Sequence, residues 1–324
     1  MFTEKIRGKK AFVLAAFLAF SFVPLFAVSP ATQDVVFEDK KLLFLSGSNF
    51  TDSYYQKQIN CLQKTLPINY KVNCQYVGSN FEFDQKDYEA FDEFYKAYME
   101  KSDIDFLVTA DLPALRFVQA KRDLFFKGLP VVVLGFKRGT DYDSAFEMDG
   151  IQVVFDDPFV EENIKLINSL FPRRRKIAFI DCRETNKGLI DSIKSKFDIQ
   201  AEYKNIDGMS KEQIAEYARS LDKCSILFMP SAYDLNGSDV TSEDVVKVLS
   251  ANSENPIFTC HDVCFGQGVL GGYFVSVETI CDAISGVLRN YSIYRSVVNT
   301  YGTSRPLEPE YFFDVQQMKK FNIV

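Results

Sequence analysis

The sequence predicts an α/β protein of two doubly wound, Rossmann-like lobes joined by a hinge and preceded by an N-terminal apolar helix. Three observations predict it. Apolar runs of strand length recur along the chain, and amphipathic segments of helical period separate them, which is the pattern of parallel sheets covered on both faces. The polar stretch Asp141–Gly150 then interrupts the series, so that one βαβ set finishes before it and another begins after it. The composition agrees: 324 residues, 47% hydrophobic and 25% charged, with mean hydropathy −0.09, suit a globular chain long enough for two domains. The net charge is −7 and no basic tract exceeds Arg173-Arg174-Arg175-Lys176, so a nucleic-acid-binding surface is not expected.

Taken in order, the first element is a basic segment, Met1–Lys10, followed by the uncharged run Ala11–Val28. This reads as an export signal, with Ser29-Pro30-Ala31 offering small residues for cleavage, or as an uncleaved membrane anchor. No cysteine near the end of the run offers a lipid attachment point. Residues 1–31 are therefore assigned as signal peptide or signal anchor. The remainder is expected on the periplasmic or extracellular side, either secreted or held at the inner membrane.

Strands are expected at Leu42–Leu45, Tyr70–Val77, Asp105–Val108, Val131–Leu134, Val153–Phe155, Lys176–Ile180, Gln200–Lys204, Ile226–Met229 and Pro256–Thr259. Helices are expected between them at Asp52–Thr65, Lys86–Lys101, Pro113–Phe125, Pro158–Leu170, Asn186–Phe197, Ser210–Leu221, Ser242–Leu249 and Val277–Arg289. In Asp84–Lys101 the spacing of Tyr88, Phe91, Phe94, Tyr95 and Tyr98 lays an apolar stripe along one helix face, a core signal in a chain with 31 Phe, 16 Tyr and no Trp. The interlobe crossing is placed at Gly150. The first lobe then spans 38–149 plus about 273–292, the second 150–272 plus about 293–312, and 313–324 forms a closing segment. Seven cysteines follow the apolar run, and Cys61 with Cys74 form the best pair, because a helix carrying the first runs back along the strand carrying the second.

Ligands of open α/β sheets bind beyond the carboxyl ends of the strands, where helix N-termini present unpaired N–H groups. Six loops lie there: Ser46–Phe50, Thr109–Asp111, Gly135–Arg138, Asp181–Glu184, Ser231–Asp234 and Cys260–Asp262.

The order of these elements resembles a type I periplasmic binding protein. The residues are similar to the ABC-transporter substrate-binding-like sensory domains of bacterial histidine kinases and diguanylate cyclases. The resemblance runs from about Lys40 onward through Asp84–Gln119, Lys127–Phe136, Arg173–Gly188, Asn255–Ser276 and Glu310–Ile323. In the last stretch, Phe313-Asp314 followed by Met318-Lys319-Lys320-Phe321-Asn322-Ile323 is similar to the segment that leads those sensors toward their next membrane helix. The resemblance implies a non-enzymatic receptor that closes two lobes around a small molecule. Its partners would be a small solute such as an amino acid, and either an ABC permease or a kinase or cyclase signalling module. A homodimer is compatible with it, and no cofactor is expected. With no second span or signalling domain before Val324, the alternatives are a truncated receptor and a stand-alone binding protein, the latter including the substrate-binding subunit of an ABC importer.

Each candidate ligand residue has a structural alternative. Asp111, which matches the family's Asp at that place, can accept from a ligand amine or hydroxyl, or it can cap the helix opening at Pro113. Ser48 and Asn49 can donate to a ligand carboxylate or hydroxyl. Phe136 and Tyr233 can sandwich a ring or sugar face, or pack at the hinge. Arg183 suits a carboxylate, beside Asp181 and Asp234, or is a solvated charge. His261, the one histidine, with Asp262 is read as cleft lining rather than as a metal site or a Cys–His nucleophile, since no second His and no zinc-type spacing accompany Cys260 and Cys264. The glycines of Gly266-Gln-Gly268-Val-Leu-Gly271-Gly272 mark a tight passage and not a phosphate loop.

Overall fold

In the computed structural model, residues 38–47, 53–78, 85–136, 150–174, 176–182, 187–231, 240–294 and 307–323 are described. The signal or anchor segment therefore lies outside the described residues. Among the described residues no helix is long and apolar enough to cross a membrane.

The first lobe comprises β1 (Lys40–Ser46), α1 (Ser53–Thr65), β2 (Tyr70–Tyr76), α2 (Gln85–Ser102), β3 (Phe106–Thr109), α3 (Leu112–Ala120), α4 (Arg122–Phe125), β4 (Val131–Phe136) and β5 (Ile151–Phe155). The second comprises α5 (Val160–Leu170), β6 (Lys176–Asp181), α6 (Lys187–Phe197), β7 (Gln200–Asn205), α7 (Lys211–Ser220), β8 (Ser225–Met229), α8 (Ser242–Asn252), β9 (Ile257–Thr259) and β10 (Gly271–Phe274). The chain then forms α9 (Val277–Tyr294), β11 (Glu310–Phe313) and α10 (Val315–Lys320).

Two sheets result, ordered β2-β1-β3-β4-β5 and β11-β10-β9-β8-β6-β7. All pairings are parallel except β10 with β11. The central strands are buried on both faces because helices cover both: Leu42 to Leu45, Leu107, Val108, Ile177 to Ile180 and Ile226 to Phe228 are fully enclosed. Such runs cannot alternate apolar and polar residues, which is why they are legible as continuous apolar blocks.

The aromatic stripe of α2 faces the core in part: Phe91, Tyr95 and Tyr98 pack there, Phe94 is half exposed, and the Tyr88 side chain lies outside the described residues. Tyr95 is completely buried against Phe91, Phe117 and Phe126, beneath α3 and α4. The expected helix at 113–125 divides in two at Lys121, whose own backbone N–H bonds Phe117 and whose side chain pairs with Asp92 at 2.7 Å.

The crossing does not fall at Gly150. Ile151–Phe155 pairs with Val131–Phe136 as the fifth strand of the first sheet, so the chain changes lobe after Phe155. It returns after β10, since α9 packs on α1 and β5 of the first lobe, with Tyr291 edge-on to Phe106 and the Tyr70 hydroxyl 2.8 Å from Ser292 Oγ. A third change of lobe lies between α9 and β11, which pairs with β10. The segment expected to close the chain separately, 313–324, is instead part of the second lobe where it is described: Met318, Phe321 and Ile323 pack on its core. All seven cysteines are reduced thiols in this structure, Cys61 and Cys74 among them.

Candidate functional site

The loops that follow β1, β2, β4, β6 and β8 fall wholly or largely outside the described residues. Ser48, Asn49, Arg183, Tyr233 and Asp234 lie among them and receive no placement. The described part of the site is therefore its floor: the last residues of each strand and the hinge.

At the first strand end, Asp111 acts as a structural clasp. Its carboxylate accepts from the Gly47 N–H at 3.0 and 2.8 Å, from Ser46 Oγ at 3.1 Å and from the Ala114 N–H at 3.0 Å. It is the N-cap of α3, extended at φ −158°, with Pro113 at the start of the helix. Of the two roles expected for Asp111, capping is the one these bonds occupy. Gly47 lets the loop come this close, because a Cβ there would stand 2.5 Å from the Pro113 side chain.

Phe136 ends β4 but does not stand open for stacking. A bulge between Val133 and Phe136 turns the strand end, and Gly135, at φ +77°, sits where a Cβ would lie 2.7 Å from the Ala110 carbonyl. The turn sends the Phe136 ring into the first lobe's core, 5% exposed. Asp181 ends β6 and is 2% exposed.

His261 and Asp262 follow β9 and face the first lobe. His261 Nε2 lies 3.0 Å from the Pro230 carbonyl, which can only accept, so this nitrogen carries a proton. The Tyr54 ring of α1 meets the imidazole edge-on at 5.7 Å between centroids. Asp262 bonds two different elements: it accepts from Lys57 Nζ of α1 at 3.1 Å and from the Val277 N–H that opens α9 at 3.1 Å. Lys57 Nζ also donates to the Asp262 carbonyl at 3.1 Å. Beside them the Tyr54 hydroxyl donates at 2.7 Å to Asp156, the first residue after β5.

The hinge cluster is thus Tyr54, Lys57, Asp156, His261 and Asp262. Sequence reasoning named the last two and missed the other three. Lys57 looks like an ordinary polar position on an amphipathic helix, and only the fold brings it to Asp262. Asp156 did carry a signal, since Asp156-Asp157-Pro158 directly follows a strand and precedes a helix. Gly271 and Gly272 sit inside β10, where Cβ atoms would press on the Phe312 and Thr259 carbonyls, so the tight passage expected of them is strand packing. Among the described residues no group of His, Cys, Asp and Glu could hold a metal ion.

No protein-family model and no curated protein matches the chain. Solved structures do. A conserved domain protein from Vibrio cholerae superposes with a TM-score of 0.57 at 11% identity, covering 89% of this chain and 96% of that one. An ABC domain in complex with L-Trp from Streptococcus pneumonia gives 0.56 at 12% identity, covering 88% and 95%. A periplasmic solute-binding protein of an ABC transporter from Actinobacillus succinogenes, with bound D-allose, gives 0.56 at 11% identity, covering 87% and 99%. The fold is that of the type I periplasmic binding proteins, as the sequence resemblance implied.

Proposed function

We propose that the protein is an extracytoplasmic receptor that holds a small solute between its two lobes and serves as the solute-binding subunit of an ABC importer. The observation that carries this reading is the pairing of two like-ordered parallel sheets by three chain crossings, with polar groups at the strand ends beside the hinge. Ligand bound to both lobes stabilises the closed arrangement, and the closed form is what a permease recognises. The bound L-Trp and D-allose of the Streptococcus and Actinobacillus proteins direct the search to amino acids and sugars. Ser48, Asn49, Arg183, Tyr233 and Asp234, outside the described residues, are the side chains this reading expects to contact the solute. No catalytic step is part of this reading, and the apolar N-terminus and the periplasmic binding proteins among the structural neighbours support a location outside the cytoplasm.

The sensor reading is second, and one observation favours it. The segment from β11 to α10 is folded onto the second lobe, so movement of that lobe carries the C-terminal end of the chain with it. A kinase or cyclase module attached there would feel closure.

A thermal-shift series against amino acids, sugars, nucleosides and organic acids tests the receptor reading. A true ligand at about 100 times its Kd adds about 2.7 kcal/mol to stability. A well-folded sample that responds to none of them overturns it. Stimulation of a permease's ATPase by the liganded protein separates importer from sensor.

A further inference from the structure

The structure gives Cys61 a different neighbour from the one its sequence position suggests. Helix α1 packs along α9, and each presents a cysteine to the other. The Cys281 thiol donates to the Gln58 carbonyl of α1 at 3.7 Å, about one turn before Cys61. The Cys61 thiol lies 3.9 Å from the Val277 carbonyl of α9, one turn before Cys281. This reciprocal pattern sets the two sulfurs side by side across the helix interface. Burial first, and then the adjoining Cys61 thiol, push the Cys281 thiol well above its ordinary value. Cys281 is completely buried, whereas Cys61 is half-buried and reachable.

We propose that Cys61 and Cys281 are a covalent modification site, forming a disulfide that ties α1 to α9 in an oxidising compartment. The compartment rests on the extracytoplasmic reading above, but the chemistry of the pair does not. The oxidant is a disulfide, either a small one such as oxidised glutathione or that of a dithiol oxidoreductase. Cys61 loses its proton and attacks one oxidant sulfur, and the other departs as a thiolate that takes up a proton. The deprotonated Cys281 then attacks Cys61 Sγ, forming the internal bond and displacing the second oxidant sulfur. Two protein thiols have lost two protons and two electrons, and one oxidant disulfide has become two thiols. Because the thiolate is the nucleophile, a buried and protonated Cys281 makes the second step slow in the folded protein. The bond therefore forms fastest while α9 is still docking.

The consequence reaches the hinge. Tyr54 and Lys57, which contact Asp156 and Asp262, are on α1, and the Asp262 bond to Val277 opens α9. The bond would fix these two helices as one platform. It also closes a loop containing the whole of α5 to β10, and long loops gain most from closure.

The test refolds the full chain with and without a glutathione redox pair, then maps disulfides by proteolysis and mass spectrometry under non-reducing conditions. The expected result is a peptide linking Cys61 to Cys281, and a Tm that falls by roughly 5 °C on adding dithiothreitol. The fall should persist in Cys74→Ser and vanish in Cys281→Ser. A Cys61–Cys74 link, or full alkylation of both Cys61 and Cys281 after oxidation, overturns the proposal. The disulfide map uses the unaltered chain, so it decides the matter even if a variant does not fold. Ligand-induced shifts, read on the same samples, test the receptor reading separately.

Discussion

The two lobes repeat one strand order, since β2-β1-β3-β4-β5 corresponds position for position to β7-β6-β8-β9-β10, yet each is finished differently. The first sheet ends at β5, and its helical cover is completed by α9, supplied from beyond the second lobe. The second sheet runs one strand further, through β11, and α10 closes its core. Neither lobe is complete as a continuous stretch of chain. The polar clasps differ accordingly. In the first lobe Asp111 secures a strand-end loop, while in the second the fully buried Asn163 secures β10 beyond its short pairing with β9. Its amide accepts from the Tyr273 N–H at 2.8 Å and donates to the Tyr273 carbonyl at 2.7 Å, so that α5 completes hydrogen bonding along β10. In each lobe a long-range clasp thus falls on one polar side chain, partly buried at Asp111 and fully buried at Asn163.

The largest effect is expected there. Asn163→Ala leaves both polar groups of Tyr273 buried and unpaired, with an expected loss of about 3 kcal/mol in denaturant unfolding. Hydrogen exchange should quicken at Gly271–Phe274 and at Glu310–Phe313, which hangs on β10, while the first sheet keeps its protection. Equal loosening of both sheets would show that the lobes do not behave as distinct units.

Asp111→Ala is the matching test in the first lobe. It removes a helix cap and the partner of the Gly47 N–H, with an expected cost of about 2 kcal/mol and faster exchange at Gly47 and Ala114. A ligand-contacting Asp111 would give the opposite pattern: lost solute binding at nearly unchanged stability.

The contrast also explains what the sequence could reveal. Nine of the strands were legible because doubly covered strands are apolar without interruption, and the main helices because their faces alternate at helical period. β10 was missed because Gly271 and Gly272, chosen for close packing under the Thr259 and Phe312 carbonyls, give no strand signal. β11 was missed because Tyr311 and its neighbours form an edge, 63% exposed at Tyr311, with meaning only beside β10. The crossing was placed early because a polar stretch marks a loop without saying on which side of the next strand the lobe changes. Asp111 was legible as a residue of two possible roles, and the structure shows the capping one. Lys57 was illegible, since nothing local to it points to a residue that follows β9.

Between the lobes the expected effects are smaller. Lys57→Met removes an ion pair whose side chains are 33% and 11% exposed, with an expected cost of about 1 kcal/mol at low salt and less at high salt. Asp262→Ala should cost more, because it also leaves the Val277 N–H unpaired at the start of α9. If the two variants proved equal, the bond to Val277 would carry no weight and the hinge would be held by charge alone.

The smallest expected effect compares one ion pair from each lobe. In the second, the Lys211 hydrogen bond holds Asp244 below the usual carboxylate range, against the opposing pull of its partial burial. The unfolded chain then binds more protons than the folded one near pH 4. The stability from this pair is therefore present above about pH 4 and is lost as the pH falls below it. Lys211→Met should lower stability at neutral pH by a few tenths of a kcal/mol, and the difference should disappear near pH 2, as read by urea unfolding at each pH. Lys121→Met, at the break between α3 and α4, should cost more at neutral pH. Lys121 is 11% exposed against 47% for Lys211, so its ammonium is less screened by water, while the two carboxylates are similarly enclosed, 32% exposed at Asp92 and 26% at Asp244. Equal costs would mean that solvent screens both pairs alike, and that the tighter enclosure of Lys121 contributes packing and no electrostatic stability.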